Sequence, residues 1–169
     1  MRGADNLGKN LLTVRTAATF LGRGVAAVDL AGAEALYPTA DFADVFGLAK
    51  ELGVPFTIHA GEADGPESIQ AALAFGASRI GHGVRAAEDP ELLARLKEQQ
   101  IPLEMCPSSN VQTKAVASLA EHPVLDFLRR GLKVTINTDN MTVSDTTIEK
   151  EFGLLSRELG MTAEELPSK

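Results

Sequence analysis

The stretch Pro55-Phe56-Thr57-Ile58-His59-Ala60-Gly61-Glu62-Ala63-Asp64-Gly65-Pro66-Glu67 decides the fold. It opens on a short apolar run, 55–59, that ends in a histidine. A glycine-bearing loop with two carboxylates follows. The stretch closes on Gly65-Pro66-Glu67, a helix start: proline at the first helical position has no N–H to waste, and an acid in the first turn faces the helix dipole. A run that stays apolar until a polar end is the pattern of a strand buried in a parallel sheet. The same unit recurs along the chain. Strand-like runs lie at 25–30, 79–82, 101–106 and 133–139, and helical patterns lie near 9–22, 40–53, 66–76, 90–100, 115–130 and 145–160. Asp89-Pro90-Glu91 repeats the helix-start signal, with the aspartate as N-cap. Alternating strands and helices imply an α/β fold with a parallel sheet and right-handed crossovers. Two architectures meet that description. An open, doubly wound sheet suits the length. A (β/α)8 barrel typically needs about 250 residues, so this chain would supply part of one.

Length and composition bound the rest. The 169 residues are 44% apolar and 23% charged, which is ordinary for one globular domain spanning 1–169. No linker or low-complexity run divides it. Sixteen basic against 23 acidic residues give a formal charge of −7. An acidic chain has no electrostatic footprint for nucleic acid or an anionic membrane. Cys106 is the single cysteine, so an internal disulfide and an all-cysteine zinc site are excluded, and a cytoplasmic setting is expected. No apolar run reaches membrane-spanning length, and no secretory leader is recognisable.

Each strand-like run ends in groups that a buried strand should not waste. These are Asp29-Leu30-Ala31-Gly32, His59-Ala60-Gly61-Glu62, His82-Gly83, Cys106-Pro107-Ser108-Ser109-Asn110 and Asn137-Thr138-Asp139-Asn140. In parallel α/β folds, ligands bind at the carboxyl ends of strands. His59, His82 and Asp139 are zinc-ligand types, and donors from separate strands can surround one ion. Zinc would lower the pKa of bound water to about 7. Glu62 is placed for general acid or base work. Taken singly, each strand-end histidine reads as a hydrogen-bonded structural residue. His122, before Pro123, reads as a solvated loop residue, and Cys106 as a small buried apolar group. The loop 61–65 lacks the arrangement of a phosphate loop, and no H-E-x-x-H is present.

Five motifs in this order resemble the adenosine deaminase family: Val28-Asp29-Leu30-Ala31-Gly32, Thr57-Ile58-His59-Ala60-Gly61-Glu62 with Gly65-Pro66-Glu67-Ser68-Ile69, Arg79-Ile80-Gly81-His82-Gly83-Val84, Cys106-Pro107-Ser108-Ser109-Asn110 and Asn137-Thr138-Asp139-Asn140. The resemblance runs from about residue 10 to 165. It implies part of a (β/α)8 barrel, strands four to eight of eight, from an enzyme that hydrolyses adenosine to inosine and ammonia. It implies His59 and Asp139 as zinc ligands, with Asp139 also taking a proton. His82 would orient the nucleophile, and Glu62, partly desolvated and with a raised pKa, would protonate purine N1. The Gly32 N–H would donate to N3, and Asn140 would face N7. The family usually has aspartate where Asn140 stands; an amide can donate to N7 without being protonated first. The family's first strand carries a zinc-binding His-x-His, and this chain has none. Zinc is therefore expected to bind weakly or not at all, and the chain to self-associate or to need a missing N-terminal half. The contrasting readings are a non-catalytic, purine-binding or self-associating half-barrel and, from another class, a flavodoxin-like open sheet.

Overall fold

Five short strands carry the architecture: β1 (Val28–Leu30), β2 (Phe56–Ala60), β3 (Ile80–His82), β4 (Leu103–Met105) and β5 (Val134–Ile136). In this computed structural model, which describes residues 1–165, they form one sheet in the order β1-β2-β3-β4-β5, every pair parallel. Spatial order equals chain order. A doubly wound sheet reverses its strand order at a switch point, and no reversal occurs here. Of the two expected architectures, the partial barrel is the one observed, and the flavodoxin-like sheet is excluded.

Helices return the chain between strands: α1 (Leu7–Phe20), α2 (Ala43–Glu51), α3 (Pro66–Phe75), α4 (Pro90–Glu98), α5 (Pro107–Gln112), α6 (Val124–Arg129), α7 (Met141–Ser144) and α8 (Ile148–Leu159). Proline opens α3, α4 and α5, where its missing N–H costs nothing. The Asp89 carboxylate accepts the N–H groups of Glu91 and Leu92, as expected for a cap.

The helix expected over 115–130 does not form as one piece. The residue before a proline is pushed out of the helical region. His122 accordingly adopts φ −71° and ψ 124°, and α6 begins only after Pro123. The first strand is also shorter than expected. Val25 makes only an isolated bridge to Leu21, and pairing starts at Val28.

Burial on both faces holds for β3 but not for β2. Phe56, Ile58 and Ala60 are covered, whereas Thr57 and His59 between them are half-exposed. The covered face meets the helices in one core that includes Phe46, Ile69, Leu96, Leu103 and Phe127. The Phe46 ring lies 4.6 Å from that of Phe56. Register places Asp29 beside Thr57, His59 beside Gly81, Gly81 beside Glu104 and Glu104 beside Thr135. That second face is polar: the Thr57 hydroxyl donates to Asp29 at 2.7 Å, and Arg79 pairs with Glu104 at 2.7 Å. In a closed barrel this face is the interior.

At the end of β2, the chain turns through Gly61 at φ +69°, and a Cβ there would come within 2.5 Å of Ile69 Cδ1. Gly61→Ala is expected to destabilise the chain by more than about 1 kcal/mol. The check is a lower urea midpoint with an unchanged slope.

Candidate active site

The polar groups that follow the five strands gather on one rim. His59 is held from below. Its Nδ1 lies 2.8 Å from Asp29 Oδ2. The ring needs a bare neighbour, because a Cβ on Gly81 would lie 3.1 Å from His59 Nδ1 and 3.2 Å from its Cα. Burial opposes the charged imidazole, but Asp29, with the charges of Glu62 and Asp139, outweighs it and raises the His59 pKa above its ordinary 6.5. Burial likewise opposes the Asp29 carboxylate, and His59 outweighs it, holding Asp29 below 3.8.

The loop after β2 is organised by Glu34, a buried carboxylate with 2% exposure. Its Oε1 accepts the Gly61 N–H at 2.7 Å and the Ser68 hydroxyl at 2.5 Å. Its Oε2 accepts the N–H groups of Glu62, Ala63 and Asp64 at 3.0, 2.8 and 3.2 Å. Behind Ser68 stand Thr39 and then the Arg2 guanidinium, so a cation closes the chain that the carboxylate begins. Glu34 thus fixes the backbone from which Glu62 projects. The Glu62 side chain is 20% exposed, and its Oε2 lies 3.4 Å from His82 Nε2. Its Oε1 accepts the Thr113 hydroxyl at 3.1 Å. Gly32 and Glu62 line one cleft of about 470 Å³, within the range of small-molecule sites.

His82 and Asp139 share a backbone feature. Both have left-handed φ, 60° and 54°, which a non-glycine residue adopts at a cost of order 1–3 kcal/mol. At each, the alternation of the strand is broken. Burial lowers the His82 pKa. Its Nδ1 lies 2.9 Å from Asn110 Nδ2. Asn110 Oδ1 in turn lies 3.1 Å from His122 Nε2. His122 is therefore not a solvated loop residue. It is 5% exposed, and burial, with the neighbouring His82, pushes its pKa down to about 4.

Asp139 accepts the Ser109 hydroxyl at 2.6 Å and is otherwise open to solvent. Asn140 caps α7, its Oδ1 accepting the Val143 N–H at 3.0 Å, which leaves its Nδ2 with no partner among the described residues. Cys106 is buried, as expected, and burial with the surrounding carboxylates pushes its thiol up to about 12. It is no nucleophile at neutral pH.

A catalytic zinc takes three protein ligands and keeps one position open. Among the described residues, no three His, Cys, Asp or Glu side chains converge closely enough to hold a metal. The two ring nitrogens of His82 face Asn110 and Glu62.

The model of the adenosine deaminase family matches residues 6–168. The chain belongs to the adenosine deaminase family. An adenosine deaminase of Haemophilus ducreyi is 53% identical over 168 residues, which are 98% of this chain and 49% of that protein. Among solved structures, the adenine deaminase of Arthrobacter aurescens superposes with a TM-score of 0.87 at 31% identity, over 94% of this chain and 49% of that one. An amidohydrolase of Burkholderia ambifaria with bound zinc superposes with a TM-score of 0.86 at 24% identity, over 95% of this chain and 45% of that one. The chain spans about half the length of the relatives it matches.

The motifs point to His59, Glu62, His82, Asp139, Gly32 and Asn140, and not to Glu34 or to the partnership of Asn110 with His122. Glu34 lies two residues past Gly32, but nothing in the sequence marks it as buried.

Glu34→Gln turns an amide N–H₂ toward backbone N–H groups, which can only donate. It is expected to cost about 2–4 kcal/mol in urea unfolding, since buried donors lose a charged acceptor. The raised His59 pKa adds stability that is present below pH 6.5 and lost as pH rises through the folded value. The lowered Asp29 pKa adds stability that is present above pH 3.8 and lost as pH falls through the folded value. The stability gap between the parent chain and Asp29→Asn should therefore be widest between those two pH values and narrow on either side, read from urea midpoints across pH.

Proposed function

We propose that this chain is the C-terminal portion of a deaminase barrel and carries its acid–base half, for the hydrolysis of adenosine to inosine and ammonia. The observation that carries the reading is the Gly32–Glu62 cleft, with Glu62 at 3.4 Å from His82. The chemistry has two obstacles: attack at C6 breaks the aromaticity of the ring, and an amine leaves poorly. Glu62 donates a proton to N1 and so draws electrons from C6 as water adds there. The proton lost by the water passes through the rim groups to the departing nitrogen, ammonia leaves, and the proton of the new C6 hydroxyl returns to Glu62 as the C6 carbonyl of inosine forms. His82 holds the incoming oxygen through Nε2. The backbone N–H of Gly32 meets N3, and the free Nδ2 of Asn140 meets N7. The 53% relative acts on adenosine by its name, which favours the nucleoside over the free base of the 31% relative.

His59 and Asp139 are the two donors that the chain would contribute to a family zinc. A third must come from outside residues 1–169. A second copy repeats the same strands and brings no His-x-His. The partner in this reading is therefore the N-terminal part of the barrel, set against β1 and β5. Exposed Leu12 and Phe20 on α1, beside Val25 and Val28, form an apolar cleft of about 450 Å³ on the β1 side for it. The chain alone is inactive in this reading, and its location is cytoplasmic.

The test joins the N-terminal half of the Haemophilus ducreyi relative to this chain in one polypeptide. Loss of adenosine absorbance is expected from that chimera and not from the chain alone. Glu62→Gln in the chimera should lower kcat by about 10²–10⁴. A folded chimera that binds purine without turnover would favour the non-catalytic reading.

A further inference from the structure

We infer that Asn110 and His122 are positioning residues that hold His82 as the tautomer with its proton on Nε2, the nitrogen that faces Glu62. The inference follows from hydrogen bonds whose direction is not free. A backbone N–H can only donate. The Val124 N–H points at His122 Nδ1 at 3.2 Å, so that nitrogen accepts and carries no proton. The His122 proton is then on Nε2, which lies 3.1 Å from Asn110 Oδ1 and donates to it. A second backbone group agrees: the Cys106 N–H donates to the same Oδ1 at 3.2 Å, which fixes which end of the Asn110 amide is oxygen. The other end is therefore the N–H₂ group, and it lies 2.9 Å from His82 Nδ1. An amide N–H₂ cannot accept, so His82 Nδ1 must. One proton remains for the His82 ring, and it sits on Nε2.

The network lies almost entirely out of water. Asn110 is fully buried, His82 is 2% exposed and His122 is 5% exposed. In such surroundings a donor facing a donor is costly, so the orientation chosen at Val124 and Cys106 carries through to the rim. The consequence rests on the reaction proposed above. His82 meets the reacting oxygen as a hydrogen-bond donor. It cannot begin as a base through that nitrogen, and the proton on Nε2 faces Glu62 Oε2.

The test reads the ring directly and needs no turnover, so its failure is distinct from failure of the proposed reaction. Histidine-labelled ¹⁵N chain, in the form described here, is examined by long-range proton–nitrogen correlation above neutral pH. His82 should show a pyridine-like Nδ1 and a pyrrole-like Nε2. Asn110→Asp keeps the shape and still accepts from Cys106 and His122, but its carboxylate offers His82 an acceptor. A proton should then appear on His82 Nδ1. In the active chimera, the same variant should lower kcat about a hundred-fold or more, with a smaller change in KM. A pyrrole-like Nδ1 in the parent chain overturns the inference, whether or not the variant folds. So does an Asn110→Asp chain whose Nδ1 stays unprotonated, or a flipped tautomer with kcat unchanged.

Discussion

Parallel pairing in chain order is the constraint on which the rest depends. Because β1 to β5 all run the same way and sit side by side, their carboxyl ends share one rim. His59, His82 and the segment around Asp139 are far apart in sequence and become neighbours for that reason alone. Antiparallel pairing of any one strand would send its polar end to the opposite side. The covered face, with Phe56, Ile58, Ile80 and Leu103, supplies the apolar burial that holds this order against the helices. The other face needs no such burial, and it is lined by Asp29, Thr57, Arg79 and Glu104.

On that rim, buried polar groups do the positioning. Glu34 gathers four backbone N–H groups and one hydroxyl. Glu151 does similar work on the far side: its carboxylate accepts the Ser108 N–H at 3.1 Å and the Thr146 hydroxyl at 2.5 Å, tying α8 to the start of α5. Asn110 joins two histidines and a backbone amide. Each of these groups is satisfied, and each would be expensive to leave half-satisfied. The exposed groups, Asp139 and Asn140, are those left free to meet something else.

Much of this was legible in the sequence, and the limits have physical causes. Proline and aspartate at helix starts act locally, so 66 and 90 were read correctly as helix starts. The choice between open sheet and barrel was not local. It depended on strand order, which composition does not encode, and motif resemblance pointed the right way where length pointed the wrong way. The helix expected over 115–130 failed at Pro123, a signal present in the sequence but outweighed by the apolar pattern around it. His122 differs for a related reason: its neighbourhood looks solvated in sequence, while its ring is buried against Asn110. Glu34 was invisible because a carboxylate usually lies outside, and only the backbone amides of a distant loop make its burial favourable.

His59 and Asp139 both lie on the rim, no three His, Cys, Asp or Glu side chains gather there among the described residues, and the chain spans about half the length of its relatives. The account's central claim is that the Gly32–Glu62 cleft receives the purine. The most direct measurement is a crystal structure of the barrel completed by its N-terminal half, with a purine nucleoside bound. The account predicts N1 within hydrogen-bond distance of the Glu62 carboxyl and N3 against the Gly32 amide. A purine bound away from that cleft, with Glu62 untouched, would contradict it.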